Sequence, residues 1–249
     1  MYLNKNKLNY KVDILAFAAH PDDIELSCSG TLMKHIAEGL KVAIVDLTEG
    51  ELGSRGTVKT RYEEAHRATQ IMGVSFRENL QMPDGFFDLS KENLLKVITA
   101  IRKYQPAIIL ANAPKDRHPD HGMGAQLVAK AHFLSGLLKI ETFNDGSQQL
   151  HHRANQLFHY IQDDYLDPDF VIDITPYFDK KKESILAYST QFYQGENSLE
   201  GPQTPISSAD FFNFLEARAR DFGRIIQKTY AEGFISSRKI GVQLLTDLQ

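Results

Sequence analysis

The chain of 249 residues has one cysteine, Cys28, so no internal disulfide can form and a cysteine-rich zinc module is excluded. A reducing compartment suits such a chain. Tryptophan is absent, but fifteen Phe and ten Tyr leave ample bulk for a core. No apolar run approaches the roughly 20 residues that cross a bilayer. The opening MYLNKNKLNYK is polar with no apolar stretch behind it, so neither a membrane partner nor a signal peptide is expected, and the cytoplasm is the expected location. The formal net charge is only -4, with the signs interspersed. A phosphate-binding surface needs a basic excess, which argues against nucleic acid as a partner. The dinucleotide fingerprint and the P-loop are also missing.

What is present reads as alternating strands and helices. The run 12–18 (VDILAFA) is short and apolar throughout, the mark of a parallel strand covered on both faces. A helical pattern follows over 24–39, ending at Gly39, and a second buried strand over 41–47. The alternation continues with a helix over 61–72, a strand over 76–80, a helix over 91–104, the strand AIILAN and a helix over 124–138. This predicts an α/β fold: a Rossmann-like, doubly wound, mostly parallel sheet flanked by helices. The C-terminal part is more elaborate, with strands over 155–162 and 170–174, helices over 176–188 and 208–222, and a long loop over 194–208 that reads as a lid. Nothing resembles a domain linker, so residues 1–249 are expected to form one domain.

Two polar clusters stand at strand ends, where open α/β sheets bind ligands. His20-Pro21-Asp22-Asp23 follows the first strand, and His118-Pro119-Asp120-His121 follows AIILAN. A lone His-Pro-Asp is an ordinary turn whose Asp caps a helix. Two of them, each after a buried strand at the same sheet edge, call for more than turn chemistry. His20 and Asp23, three apart, could both face inward, with His121 as a third ligand. Two imidazoles and one carboxylate leave an open position for water, the catalytic form of a zinc site. Asp22 could then take a proton from that water. His118 could steady a developing oxyanion, and Asp120 could orient that imidazole. The same donors suit Fe(II), the first shell of some oxygenases. A non-catalytic sugar- or nucleotide-binding protein would give Asp22 and His118 no reason to accompany the ligands.

These motifs resemble the LmbE-like (PIG-L) zinc-dependent N-acetylglucosamine deacetylases. The likeness runs through AHPDDIEL, LTEGELGSRGT, NLQMPDGFFD, DRHPDHGMGAQL, VIDIT, AYSTQFY and the late YAEGF. The GELGSRGT loop and YAEGF are most similar to the branch that deacetylates N-acetylglucosaminyl-malate in bacillithiol biosynthesis. The resemblance implies zinc on His20, Asp23 and His121, and Asp22 as general base and then acid. It implies a protonated His118 stabilising the oxyanion, tuned by Asp120, and Arg55 contacting the substrate; Fe2+ is a candidate in the cell on the identity of the donors and not on the resemblance. The implied partner is a small N-acetylated amino-sugar conjugate, of malate, inositol or a chitooligosaccharide, and the implied assembly a homo-oligomer, a hexamer in relatives. Arg55 and Arg117 favour an anionic aglycone, and Tyr193 is a candidate for a tyrosine near the substrate.

Overall fold

The computed structural model describes residues 9–192, 202, 204 and 206–247. Its strands are β1 (Ile14–Ala18), β2 (Val42–Thr48), β3 (Phe76–Met82), β4 (Ile108–Ala111), β5 (Phe143–Asn144), β6 (Ser147–Gln148), β7 (Gln156–Tyr160), β8 (Phe170–Asp173) and β9 (Ala231–Ser236). The helices are α1 (Asp23–Ser27), α2 (Ser29–Ala37), α3 (Val58–Met72), α4 (Lys91–Tyr104), α5 (Pro119–Ser135), α6 (Phe178–Leu186) and α7 (Ala209–Ile225). β5 and β6 form a small hairpin; the other seven strands form one sheet in the order β3-β2-β1-β4-β7-β9-β8.

From β3 to β7 the pairing is parallel throughout, and β9 runs antiparallel to both of its neighbours. The chain builds outward from β1 to β3, then crosses back to lay β4 on the other side of β1. That reversal opens a crevice beyond the carboxyl ends of β1 and β4, the usual ligand position in such sheets. Every residue of β1 and β2 is buried. Leu15, Phe17 and Val45 pack on one face with α4 and α5 residues such as Val97 and Leu127. Ile14, Ala16 and Ile44 pack on the other with Leu32, Met33 and Met72. Each of the larger side chains among them contributes about 1.5–3 kcal/mol by leaving water. Among the described residues no helix is long and apolar enough to cross a membrane.

Two expectations need correction, and one strand was not read from the sequence. The helix expected over 24–39 is two helices broken at Cys28, whose φ of −138° and ψ of 14° leave the helical region. The break exposes the first N–H groups of α2, and a distant residue receives them. Glu232, buried on β9, accepts from Gly30 N at 3.0 Å and Thr31 N at 2.7 Å. Its charge is met by the buried Lys181, whose Nζ donates at 2.6 Å. Residue 30 must be glycine for this packing, because an added Cβ would lie 2.9 Å from Ile174 side-chain atoms. Secondly, α5 begins at Pro119 rather than 124, so the second polar cluster is its N-cap and first turn. The late AEGFIS segment is itself a strand inside the sheet, where its short apolar run gave too little pattern to read.

Glu232→Ala is expected to lower stability by about 3–5 kcal/mol in urea denaturation, since it orphans a buried lysine and two helix donors. A double variant, Lys181→Met with Glu232→Gln, removes the orphaned charge and keeps an acceptor, and should recover part of that loss.

Candidate functional site

The first cluster leaves β1 in a tight loop closed on itself. His20 N donates to Asp23 Oδ2 at 3.0 Å, and Asp23 N donates to His20 O at 3.3 Å. Between them Asp22 takes φ 120°, a conformation that costs a non-glycine residue about 1–3 kcal/mol. Its carbonyl nonetheless accepts an early α1 hydrogen bond, from Leu26 N at 3.0 Å. Arg61 holds the strained residue from α3, donating through Nη1 to Asp22 Oδ2 and to Pro21 O, each at 2.9 Å. Thr57 caps α3 and sets the start of the helix that delivers Arg61.

The second cluster opens α5. His118 is the N-cap, and its Nδ1 accepts from Asp120 N at 3.3 Å. A ring nitrogen that accepts carries no proton, so the neutral His118 ring bears its hydrogen on Nε2. His121, one turn on, faces Asp23, with Nε2 3.1 Å from Oδ1. The ring centroids of His20 and His118 are 4.6 Å apart, and those of His118 and His121 are 5.2 Å apart. Nitrogens of His20, His118 and His121 converge to within 4.8 Å of one another.

Several groups that the sequence did not single out hold these side chains in place. His121 Nδ1 is bonded to Asp116, whose other oxygen accepts from Asp163 N at 3.1 Å and Asp164 N at 2.6 Å. Asp23 is gripped by two amides: Asn112 Nδ2 donates to Oδ2 at 2.9 Å and Gln162 Nε2 to Oδ1 at 3.1 Å. His20 Nε2 lies 3.0 Å from Asp84 Oδ1 and 3.3 Å from Asp120 Oδ2. Asp84 belongs to the MPDG turn, which reaches the crevice from the end of β3. The signals available for it were an acidic turn at that sheet edge and the family-like NLQMPDGFFD segment that contains it.

The expected residues fall into two groups. His20, Asp22, Asp23, Arg117, His118 and His121 line one cavity of about 310 Å³, together with Asp84 and Arg61. Asp120 bonds His20 and Gly85 N (2.8 Å) through its carboxylate, and it reaches His118 through its main-chain N–H and through its charge, which raises that ring against the effect of burial. Arg55 is buried and is not among the lining residues; its carbonyl accepts from Gln191 Nε2 at 2.8 Å. Arg117 is half exposed and bonds Asp163 at 2.5 Å. Tyr193 and most of the 194–208 loop lie outside the described residues.

Burial disfavours the imidazolium of His20, yet bonds to Asp120 and Asp84 and the charge of Asp23 raise it from 6.5 to about 10. His121 is likewise opposed by burial but raised to about 9 by Asp23 and Asp116. Burial also works against the Asp23 carboxylate, and the charges of His121 and His20 overcome it, holding Asp23 below the usual carboxylate range. Asp22 behaves oppositely: burial pushes it up to about 7, with Arg61 restraining the rise. His118 is lowered by burial and by its two charged histidine neighbours. The crevice thus holds two protons on imidazoles because its carboxylates demand positive charge. A divalent cation would replace them charge for charge; the donors that converge closely enough to hold one are His20, His118 and His121, and separately His20, Asp84 and Asp120, while Asp23 bonds His121 beside the first group. Carboxylate and amide groups already orient those donors, as in protein metal sites.

A family model described as PIG-L, GlcNAc-PI de-N-acetylase, matches residues 15–132, the span from β1 to α5 that carries both clusters. The diacetylchitobiose deacetylase of Thermococcus kodakarensis is 26% identical over 247 residues, covering 92% of this chain and 87% of its own. The "Probable N-acetyl-alpha-D-glucosaminyl L-malate deacetylase 2" of Bacillus anthracis is 26% identical over 196 residues, covering 72% of this chain and 81% of its own. Among solved structures, the conserved protein TT1542 of Thermus thermophilus matches with a TM-score of 0.82 and 34% identity, over 93% of this chain and 98% of that one.

Zinc titrated into metal-free protein at pH 7.5 should release about two protons per ion, from His20 and His121. Calorimetry in buffers of differing ionisation enthalpy reads that number. Protons compete for these imidazoles, so affinity should tighten as pH rises and level off near 9–10. Asp116→Asn should weaken binding about 10- to 100-fold.

Proposed function

Since the chain belongs to the PIG-L/LmbE-like deacetylase family, we propose that it is a metal-dependent amidohydrolase, one domain over 1–249, that removes acetate from an N-acetylglucosaminyl substrate. The observation that carries this reading is a single cavity lined by Asp22, by the donors His20, Asp23 and His121, and by His118. A proton acceptor, a cation site and a hydrogen-bond donor are what amide hydrolysis by water requires. Zinc is the proposed ion, and the same donors accept Fe2+. Held there, the ion supplies Lewis acidity, which polarises an amide carbonyl and lets water act as a nucleophile at neutral pH.

The protein's own groups handle the proton and the developing charge. Asp22 takes the proton of the attacking water on its carboxylate. An acceptor whose pKa sits near 7 is matched to that task, and the proton can then pass to the departing amine. Arg61 keeps Asp22 aimed through its hold on Oδ2. As the carbonyl carbon becomes tetrahedral, its oxygen gains charge, and His118 donates to it from Nε2 as a neutral imidazole. This differs from the protonated His118 that the family likeness implies, and the bond at Nδ1 supports it. Asp84 and Asp120 hold the His20 ring from its Nε2 side.

The malate conjugate suggested by the GELGSRGT loop is one candidate substrate, supported by the likeness to the Bacillus anthracis protein. A chitooligosaccharide is another, supported by the likeness to the Thermococcus kodakarensis protein. Acetate release from free N-acetylglucosamine and from each conjugate, by metal-stripped protein with and without added zinc or Fe(II), tests the reaction. Metal-restored release supports it, and no acetate from any of them refutes it. Asp22→Ala and His118→Ala should each retain the metal and lose about a hundred- to a thousand-fold in kcat. Near wild-type turnover in either would overturn that residue's role.

A further inference from the structure

We propose that Glu64 is a positioning residue: without touching the substrate, it fixes the part of the cavity wall made by Gln191 and the Gly-rich loop, and so sets how tightly the substrate is held. This rests on the deacetylase reading and deepens it. The AYSTQ stretch, 187–191, follows α6 and has no part in the chemistry above; it is where Glu64 acts.

Glu64 lies on α3 one turn beyond Arg61 and is 1% exposed. Its carboxylate gathers the turn that follows α6. Oε1 accepts from Ser189 Oγ at 3.0 Å and from Thr190 N at 2.7 Å, and Oε2 accepts from Thr190 Oγ1 at 2.9 Å. Two acceptor oxygens serving three donors is a task for a carboxylate, since one end of a glutamine amide would donate instead. Thr190 passes the constraint on. Gln191 Nε2 donates to Thr190 Oγ1 and to Arg55 O, each at 2.8 Å. A Cβ added at Gly56 would stand 2.7 Å from Thr190 Oγ1, so the end of the Gly-rich loop lies directly against the turn that Glu64 holds.

The loop depends on such outside contacts. Residues 51–54 are exposed, and Gly50 and Gly56 have φ of 66° and 73°. Asp84 pins the middle of the loop by accepting from Leu52 N at 3.0 Å, and the chain from Glu64 through Thr190 and Gln191 pins its far end. Gly50, Leu52, Gly53 and Ser54 line the cavity together with Gln191. The reacting groups have separate anchors: Arg61 for Asp22, Asn112 and Gln162 for Asp23, and Asp116 for His121. None of those bonds passes through Glu64. Releasing Glu64 therefore loosens the wall and leaves the chemistry in place, so KM should bear the effect while kcat and metal affinity hold.

The test is steady-state acetate release by zinc-loaded protein, from whichever of N,N'-diacetylchitobiose and N-acetylglucosaminyl-malate the wild type hydrolyses. Three variants strain the same contact from different sides. Glu64→Gln removes an acceptor, Thr190→Val removes both bonds of Oγ1, and Gly56→Ala pushes on Thr190 with Glu64 intact. Each should raise KM about tenfold or more while kcat stays within about twofold of wild type. Zinc affinity, read by calorimetry, should not change. Should Glu64→Gln fail to fold, the other two variants carry the test. Unchanged KM in the folded variants overturns the proposal whatever their melting temperatures, and so does weakened zinc binding. If the wild type releases no acetate from either compound, the deacetylase reading falls instead, and hydrogen exchange decides the role of Glu64. Peptides spanning 50–56 and 189–191 exchanging about tenfold faster in Thr190→Val, with 20–23 unaltered, uphold it, and unchanged exchange removes it.

Discussion

The site is governed by an imbalance of charge in a buried crevice. Asp22, Asp23, Asp84 and Asp120 are each less than a tenth exposed, and Asp116 stands behind His121 with its side chain fully covered. Arg61 is the buried cation that answers one of them directly. Such a group of carboxylates persists only if protons, donors or a cation compensate it. Main-chain N–H groups, the amides of Asn112 and Gln162, and the imidazoles of His20 and His121 share that role. Asp22 is the exception, since its main answer is a single arginine and its strained backbone holds it in place. It is therefore the carboxylate whose proton affinity rises toward neutrality while Asp23, a few ångströms away, is driven the other way. Two adjacent acids acquire opposite characters from their surroundings alone.

The framework was legible wherever pattern is local. The buried run of β1, the bounds of α4 and the strand–helix alternation all follow from side-chain periodicity and end signals. The two histidine–aspartate clusters could be placed at one sheet edge because parallel strands end on the same side. Contacts distant in sequence stayed hidden. Nothing around residue 28 announces that a glutamate 202 positions from Gly30 will receive the α2 N–H groups. A polar residue at 112 or 162 looks like any loop amide until the fold brings both to Asp23.

The arginines show the same limit at shorter range. Arg55 and Arg61 lie in one polar stretch, and sequence favoured the one in the Gly-rich loop. The capping interactions of Thr57 with Thr60 start α3 between them. That turns Arg61 toward Asp22, while Arg55 stays buried near Gln191. Asp120 likewise sits in the motif beside His118, yet the first turn of α5 sends its carboxylate to His20. Adjacency in a motif does not say where each side chain goes once a helix begins inside it.

The Glu232 cap has a consequence for the order in which the molecule can be completed. β9 is inserted between β7 and β8, so the sheet closes only after Ala231–Ser236 is available. Until then the N–H groups that open α2 lack the acceptor that the finished protein gives them, and Lys181 lacks its counter-charge. On a ribosome, the segment bearing His20 and Asp23 emerges early but waits for residue 232 before the helix behind it is secured. Non-local closure of this kind is slow, and it ties the footing of the crevice to a residue 202 positions after Gly30. A nascent chain cut short before β9 would carry both histidine–aspartate clusters and still lack the footing beneath them.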